Sequence, residues 1–236
     1  MLLELLAVGA TLLWACHVPN DEELAGENVH SGSRATDSAR RGEEGESLVF
    51  SDLQRHLARL CGDDWLIFNS LILVHAPDSA FPTAEIDHLA VTPFGIFVIE
   101  TKHWGGAVTF GETDETLILL TPDGQQHIRT SPMRQNGPKV RFLKSLIPPR
   151  LWLVEGLGVF SNDATTLAPT LPPALLERGE LYRHLRIRQQ QFARTGIALL
   201  PVQKIADAIL RHADTRAEAF AEHRQRIRDA RAAEHE

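Results

Sequence analysis

Three ionisable residues stand where a chain usually places apolar ones. Asp87 lies inside the run Glu85–Thr92 (EIDHLAVT), and Glu100 and Lys102 close the run Ile96–Lys102 (IFVIETK). A carboxylate buried alone costs several kcal/mol, so such groups must be paired, protonated or metal-bound. Glu100 and Lys102 are two residues apart, so in a strand they share a face. Asp87 stands six residues before Pro93, and Glu100 stands five after Gly95. If Pro93–Gly95 turns a hairpin, the two carboxyls converge. Two carboxylates and an ammonium on one patch of sheet can run metal-assisted hydrolysis. Hard oxygen ligands favour Mg²⁺ or Mn²⁺ over zinc. The metal polarises a phosphate oxygen and acidifies a bound water. Lys102 then orients that water or stabilises developing charge. The chain has four lysines against twenty arginines, so a lysine here suggests that a compact point charge is wanted. Spacing alone leaves a second reading open: a buried ion pair that only fastens the hairpin.

The elements that must position these groups follow from periodicity. Gly42–Cys61 has helical spacing, with Leu48, Val49, Leu53, Leu57 and Leu60 on one face. Trp65–Val74, Glu85–Thr92 and Ile96–Lys102 read as strands, the last two as a hairpin. Val108–Arg129 predicts further short strands about the turn signal Asp123-Gly124. Ser131–Leu146 predicts a helix with an irregularity at Gly137-Pro138, and Leu151–Phe160 a buried strand. Leu175–Gln191 and Pro201–Ala213 read as helices, and the chain frays into a charged tail after Asp214. Hairpin strands, then a helix and a return strand, imply an α/β fold with a mixed sheet and helices on both faces. No glycine-rich phosphate loop follows the first strand, which argues against a dinucleotide fold.

Composition bounds the function. The 236 residues are 43% hydrophobic and 23% charged, an ordinary globular balance. Two cysteines, Cys16 and Cys61, supply neither a disulfide scaffold nor a four-cysteine zinc site. The net charge of −7 argues against a nucleic-acid partner, but the distribution argues for one. No acid occurs between Asp123 and Glu155, or between Glu180 and Asp207, and both stretches carry Lys and Arg. An acid-rich centre followed by basic stretches suits a metal-dependent enzyme on a polyanion, and equally two helices with solvated basic faces.

Residues 1–18 (MLLELLAVGATLLWACHV) are apolar apart from Glu4 and His17. As a helix they reach about 27 Å, barely a bilayer core. A membrane anchor and a short buried or peripheral helix both fit. Arg34, Arg40 and Arg41 downstream would keep the following domain cytoplasmic, at the inner face of the membrane. Residues 19–41 are polar and read as a linker, residues 42–165 as the main domain and residues 166–236 as a helical C-terminal extension.

The order of blocks resembles the PD-(D/E)XK nucleases, and within them the nuclease-related domain family. The matching pieces are Gly42-x-x-Gly45-Glu46, Ile86-Asp87-His88, Gly95–Lys102 and Ser131–Asn136. In the last block Ser131 replaces the family's usual Asn. The resemblance implies a restriction-endonuclease-like core with a small strand insert, and Mg (or Mn)-dependent cleavage of DNA. It implies Asp87, Glu100 and the Thr101 carbonyl as metal ligands, with Lys102 as the catalytic lysine. It further implies Glu46 as the first helix's carboxylate at the site, and Gln135 as the helix glutamine near the scissile phosphate. His88 should face away from Asp87 as a structural histidine, and Trp104 should pack in the core. Two other classes stay in view. One is a binding or scaffold module that keeps the fold without turnover. The other is a two-carboxylate glycosidase, which gives Lys102 no role.

Overall fold

The computed structural model describes residues 29–79, 81–148 and 153–233. Helix α1 (Val29–Cys61) leads into strands β1 (Leu66–Val74), β2 (Thr83–Thr92) and β3 (Gly95–Lys102). Then come β4 (Gly106–Phe110), β5 (Thr116–Leu120) and β6 (Gln126–Thr130), helix α2 (Pro132–Leu146) and strand β7 (Val154–Phe160). The chain continues through β8 (Thr165–Leu167), β9 (Leu175–Glu177), α3 (Leu181–Ala193), α4 (Val202–Leu210), β10 (Ala213–Asp214) and α5 (Ala219–Ala233).

The main sheet has six strands in the order β10-β1-β2-β3-β7-β9. β1, β2 and β3 form an antiparallel meander, and β7 and β9 add parallel to β3. A parallel return needs a crossover, which the insert and α2 supply. The α/β, restriction-endonuclease-like core with a mixed sheet, flanking helices, strand insert and C-terminal helices is therefore present. β6, β5, β4 and β8 make a second, four-stranded sheet. Its hairpin turns at Gly124, whose φ of 81° explains the glycine.

α1 buries Val49, Leu53 and Leu57, at the predicted spacing, against the sheet that also buries Leu89, Val91, Phe97 and Ile99. Complete burial of such side chains contributes about 1.5–3 kcal/mol each. The helix begins earlier than predicted, at Val29, so the later part of the expected linker is helical. α2 begins where Ser131 Oγ accepts the Met133 N–H at 3.2 Å, with Pro132 in the first turn. Serine is among the residues that serve best as helix N-caps. The helix runs unbroken through Pro138, where an irregularity was expected. The Asn136 amide helps hold it there, donating to the carbonyls of Val98 (3.1 Å) and Leu157 (3.0 Å) on β3 and β7. This fit is close, since a Cβ on Gly156 would lie 2.9 Å from the Asn136 Cβ.

Two C-terminal expectations are corrected. Leu175–Glu177 is a strand, not the start of a helix, because β9 finds an open edge beside β7. The residues after Asp214 form α5 where a fraying tail was expected, because β10 pairs with β1 and turns the chain back onto the sheet. Among the described residues no helix is long and apolar enough to cross a membrane. The expected anchor, residues 1–18, lies outside the described residues.

Candidate active site

The site forms where two paired strands separate. The β2–β3 ladder ends at His88↔Ile99. Two residues beyond Ile99, the Thr101 N–H donates to Asp87 Oδ2 at 2.7 Å instead of to a strand carbonyl. The alternation of the pleat fixes the faces. Leu89 pairs with Val98, so Asp87 and Glu100, each two residues further towards the ladder's end, share one face. Glu85 and Thr83 lie on the same face of β2. His88 points the other way, as predicted. It is buried, stacks on Phe50 of α1 with ring centroids 6.4 Å apart, and pairs with Asn69 Oδ1 at 2.8 Å.

Glu100 is held by two ammoniums. Lys102 Nζ lies 2.8 Å from Oε1, and Lys139 Nζ lies 2.8 Å from Oε2. Burial opposes the charge of Glu100, but Lys139 and Lys102 outweigh it and hold the carboxyl below its usual range. Asp87 moves the opposite way. Burial, then the neighbouring Glu100, push its pKa up to about 6, against the pull of the Thr101 N–H and both lysines. Two carboxyls side by side are thus driven apart in acidity, a common arrangement where a site must handle protons or cations.

Glu46 enters from α1, on the opposite face of the sheet. Burial raises its pKa to about 7, and Asp87, Glu85 and Glu100 add to the rise. Its approach depends on Gly45. A Cβ there would lie 2.6 Å from Ser161 Oγ and 2.9 Å from the His103 Cβ, so only glycine lets α1 come this close to the strand ends. Gln135 lies on α2 one turn before Lys139, on the same helical face, and its Oε1 is buried without a partner. Thr101 Oγ1 is likewise buried and unpartnered. Trp104 packs edge-on against Phe160 at 5.4 Å, in the core of the smaller sheet.

Glu46, Asp87, Glu100, Thr101 and Lys102 therefore converge on one end of β2 and β3, while Gln135 stands on the face of α2 that carries Lys139. Sequence reasoning missed two more. Lys139 is buried and touches Glu100 directly. Its signal was the four-residue step from Gln135. Glu85 lies two residues before Asp87 in the same strand, and burial raises its pKa.

The donor set suits a divalent cation. It offers hard oxygens, and carboxyls whose pKa values are raised by burial and by one another. Among the described residues, no group of three or more His, Cys, Asp or Glu side chains is arranged to hold a metal. The expected set needs only two carboxylates, with a backbone carbonyl as the third ligand.

The nuclease-related domain model matches residues 41–161, just over half of the chain. The chain belongs to the nuclease-related domain family. The matched segment runs from the start of the Gly-x-x-Gly-Glu block to the end of β7, and so contains Glu46, Asp87, Glu100, Thr101, Lys102, Gln135 and Lys139. The chain is also similar to the "Probable kinase PglW" of Streptomyces coelicolor (strain ATCC BAA-471 / A3(2) / M145), 28% identical over 89 residues. That stretch is 36% of this chain and 6% of the relative, so the two share one segment of a far longer protein. No solved structure matches the chain.

Proposed function

We propose that the chain hydrolyses phosphodiester bonds of DNA with Mg²⁺ or Mn²⁺. The observation that carries this reading is the meeting of Asp87, Glu100 and Lys102 where β2 and β3 part. Asp87, Glu100 and the Thr101 carbonyl would hold the cation. When bound, it polarises the scissile phosphate and acidifies a water. The chain's own groups do the rest. Asp87 would serve as a carboxylate ligand, since a cation would offset the burial and the like charge that raise its pKa. Lys102 Nζ, freed from Glu100, donates to the attacking water or to the charged phosphate oxygens. Glu46 holds a proton to about pH 7, so it can accept one from the water chain or donate one near neutrality. Gln135, on the face of α2 that carries Lys139, would donate from its Nε2 to the phosphate.

The test is a titration of purified protein with Mg²⁺ and Mn²⁺ on duplex, single-stranded and branched DNA. Metal-dependent cleavage is expected. Lys102→Ala and Asp87→Ala should reduce it at least a hundredfold, roughly the contribution of one acid–base or charge-stabilising group, with the circular dichroism spectrum retained. If the wild-type protein leaves all three substrates intact with either metal, the reading fails. One observation favours a second reading, a nucleic-acid-binding or scaffold module without turnover. Both Glu100 oxygens are engaged by ammoniums, an arrangement that also suits a structural ion pair. DNA affinity unchanged by metal, without cleavage, would select it.

A further inference from the structure

Two of the chain's four lysines meet on one carboxylate, and they meet it differently. Lys102 Nζ takes Glu100 Oε1 and Lys139 Nζ takes Oε2, each at 2.8 Å. The Lys102 side chain keeps 17% of its surface exposed, whereas that of Lys139 keeps 7%. Lys102 is the last residue of β3, and its ammonium borders water. Lys139 hangs from the middle of α2, and that helix is fixed. The Asn136 amide, three residues earlier, reaches both β3 and β7. The first turn of α2 also rests on β7, where a Cβ on Gly158 would lie 2.6 Å from the Pro132 Cβ. Among the described residues Glu100 is the one acid that Lys139 touches. Parting these two would strand a buried ammonium, which is costly. Parting Lys102 from Glu100 returns its ammonium to solvent.

The charge of the cluster points the same way. Asp87 and Glu100, when ionised, are balanced by Lys102 and Lys139 with nothing bound. If Oε1 exchanges Lys102 for a divalent cation, the cluster carries one positive charge, which one phosphodiester neutralises. A second divalent cation beside Lys139 would leave three, close together and mostly buried, where like charges repel strongly. Sites that clamp a phosphate between two cations also need carboxylate oxygens for both. Here Glu100 has one oxygen to exchange, because Lys139 already holds the other.

We propose that Lys139 is a positioning residue that stands in for a second cation. It keeps Glu100 Oε2, so that the site accepts a single divalent ion, on the Oε1 side, in exchange for Lys102. This assignment rests on the metal-dependent reading of the site.

The experiment counts Mn²⁺ on the full chain without DNA, by titration calorimetry and by the electron paramagnetic resonance signal of the free ion. The wild type should bind one Mn²⁺ per chain, and Asp87→Asn should remove it. Lys139→Met keeps the apolar stem and drops the charge. It should tighten Mn²⁺ about tenfold, because the ammonium that opposes the incoming charge is gone. Lys139→Arg keeps the charge and should show no such gain. A side chain that merely supported the fold would do the reverse, since damage to the site only weakens binding. Lys139→Gln offers the same contrast should the methionine variant lose its cooperative melting. Two Mn²⁺ per wild-type chain, both lost in Asp87→Asn, would overturn the assignment whatever the variants do. Equal or weaker binding by a cooperatively melting, uncharged Lys139 variant overturns it alone, with the wild-type site intact. If the wild type binds no Mn²⁺ that Asp87→Asn removes, the assignment and the metal-dependent reading fall together.

Discussion

Glu46 keeps its proton up to about pH 7, because burial and three neighbouring carboxylates oppose its charge. The unfolded chain would release that proton near the ordinary value of 4.5. A group whose pKa is raised on folding supports the fold fully below its unfolded pKa and loses that support as pH climbs through the folded value. The window here runs from about 4.5 to about 7. Glu46→Gln cannot ionise, so it should leave stability nearly unchanged at about pH 4. At about pH 8 it should raise stability by on the order of 1–2 kcal/mol, after allowing for solvent screening at this partly open position. Urea unfolding at both pH values measures this, and an equal shift at both would contradict it. Asp87 titrates the same way for related reasons, and the support it gives the fold is lost over a lower window, from 3.8 to about 6. Asp87 was visible in the sequence as a carboxylate among apolar residues, and Glu46 through the family resemblance. Their acidities were not, because these depend on neighbours from α1, α2 and β3.

The element that decides the site is α2. It brings Lys139 to Glu100, and the Asn136 amide ties it to β3 and β7. Asn136→Ala would leave two buried carbonyls without their donor. The expected loss is on the order of 2 kcal/mol, read as a lower urea midpoint with an unchanged slope. A midpoint equal to the wild type would show that the helix is seated by its apolar contacts alone. Helix α2 was legible in advance, as was its start. Its passage through Pro138 was not, because a proline's local effect is opposed by tertiary contacts that local sequence does not display. The strand β9 was misread for a related reason. Leu175 and Leu176 carry no period long enough to tell strand from helix, and the parallel edge of β7 chose for them.

At the scale of the whole molecule, metal binding should appear as stability. A ligand that binds only the folded state stabilises it by about 2.7 kcal/mol at a hundred times its dissociation constant. Mn²⁺ or Mg²⁺ should therefore raise the melting temperature of the wild type by several degrees, and Asp87→Asn should remove most of that rise. A rise of the same size in Asp87→Asn would place the cation elsewhere. The amino-acid sequence alone determined the order of the elements from α1 to β7 and the positions of the family's blocks. It also determined that Asp87 and His88 face opposite ways while Glu100 and Lys102 share a side, since each follows from periodicity over a few residues. Only the tertiary structure decided that β2 and β3 part just beyond His88, that Glu100 answers to a second lysine from α2, and that α5 folds back to seat His223 and Arg226 against Thr83 of β2. Such contacts join residues tens to more than a hundred positions apart, and no local pattern records which distant surfaces will pack together.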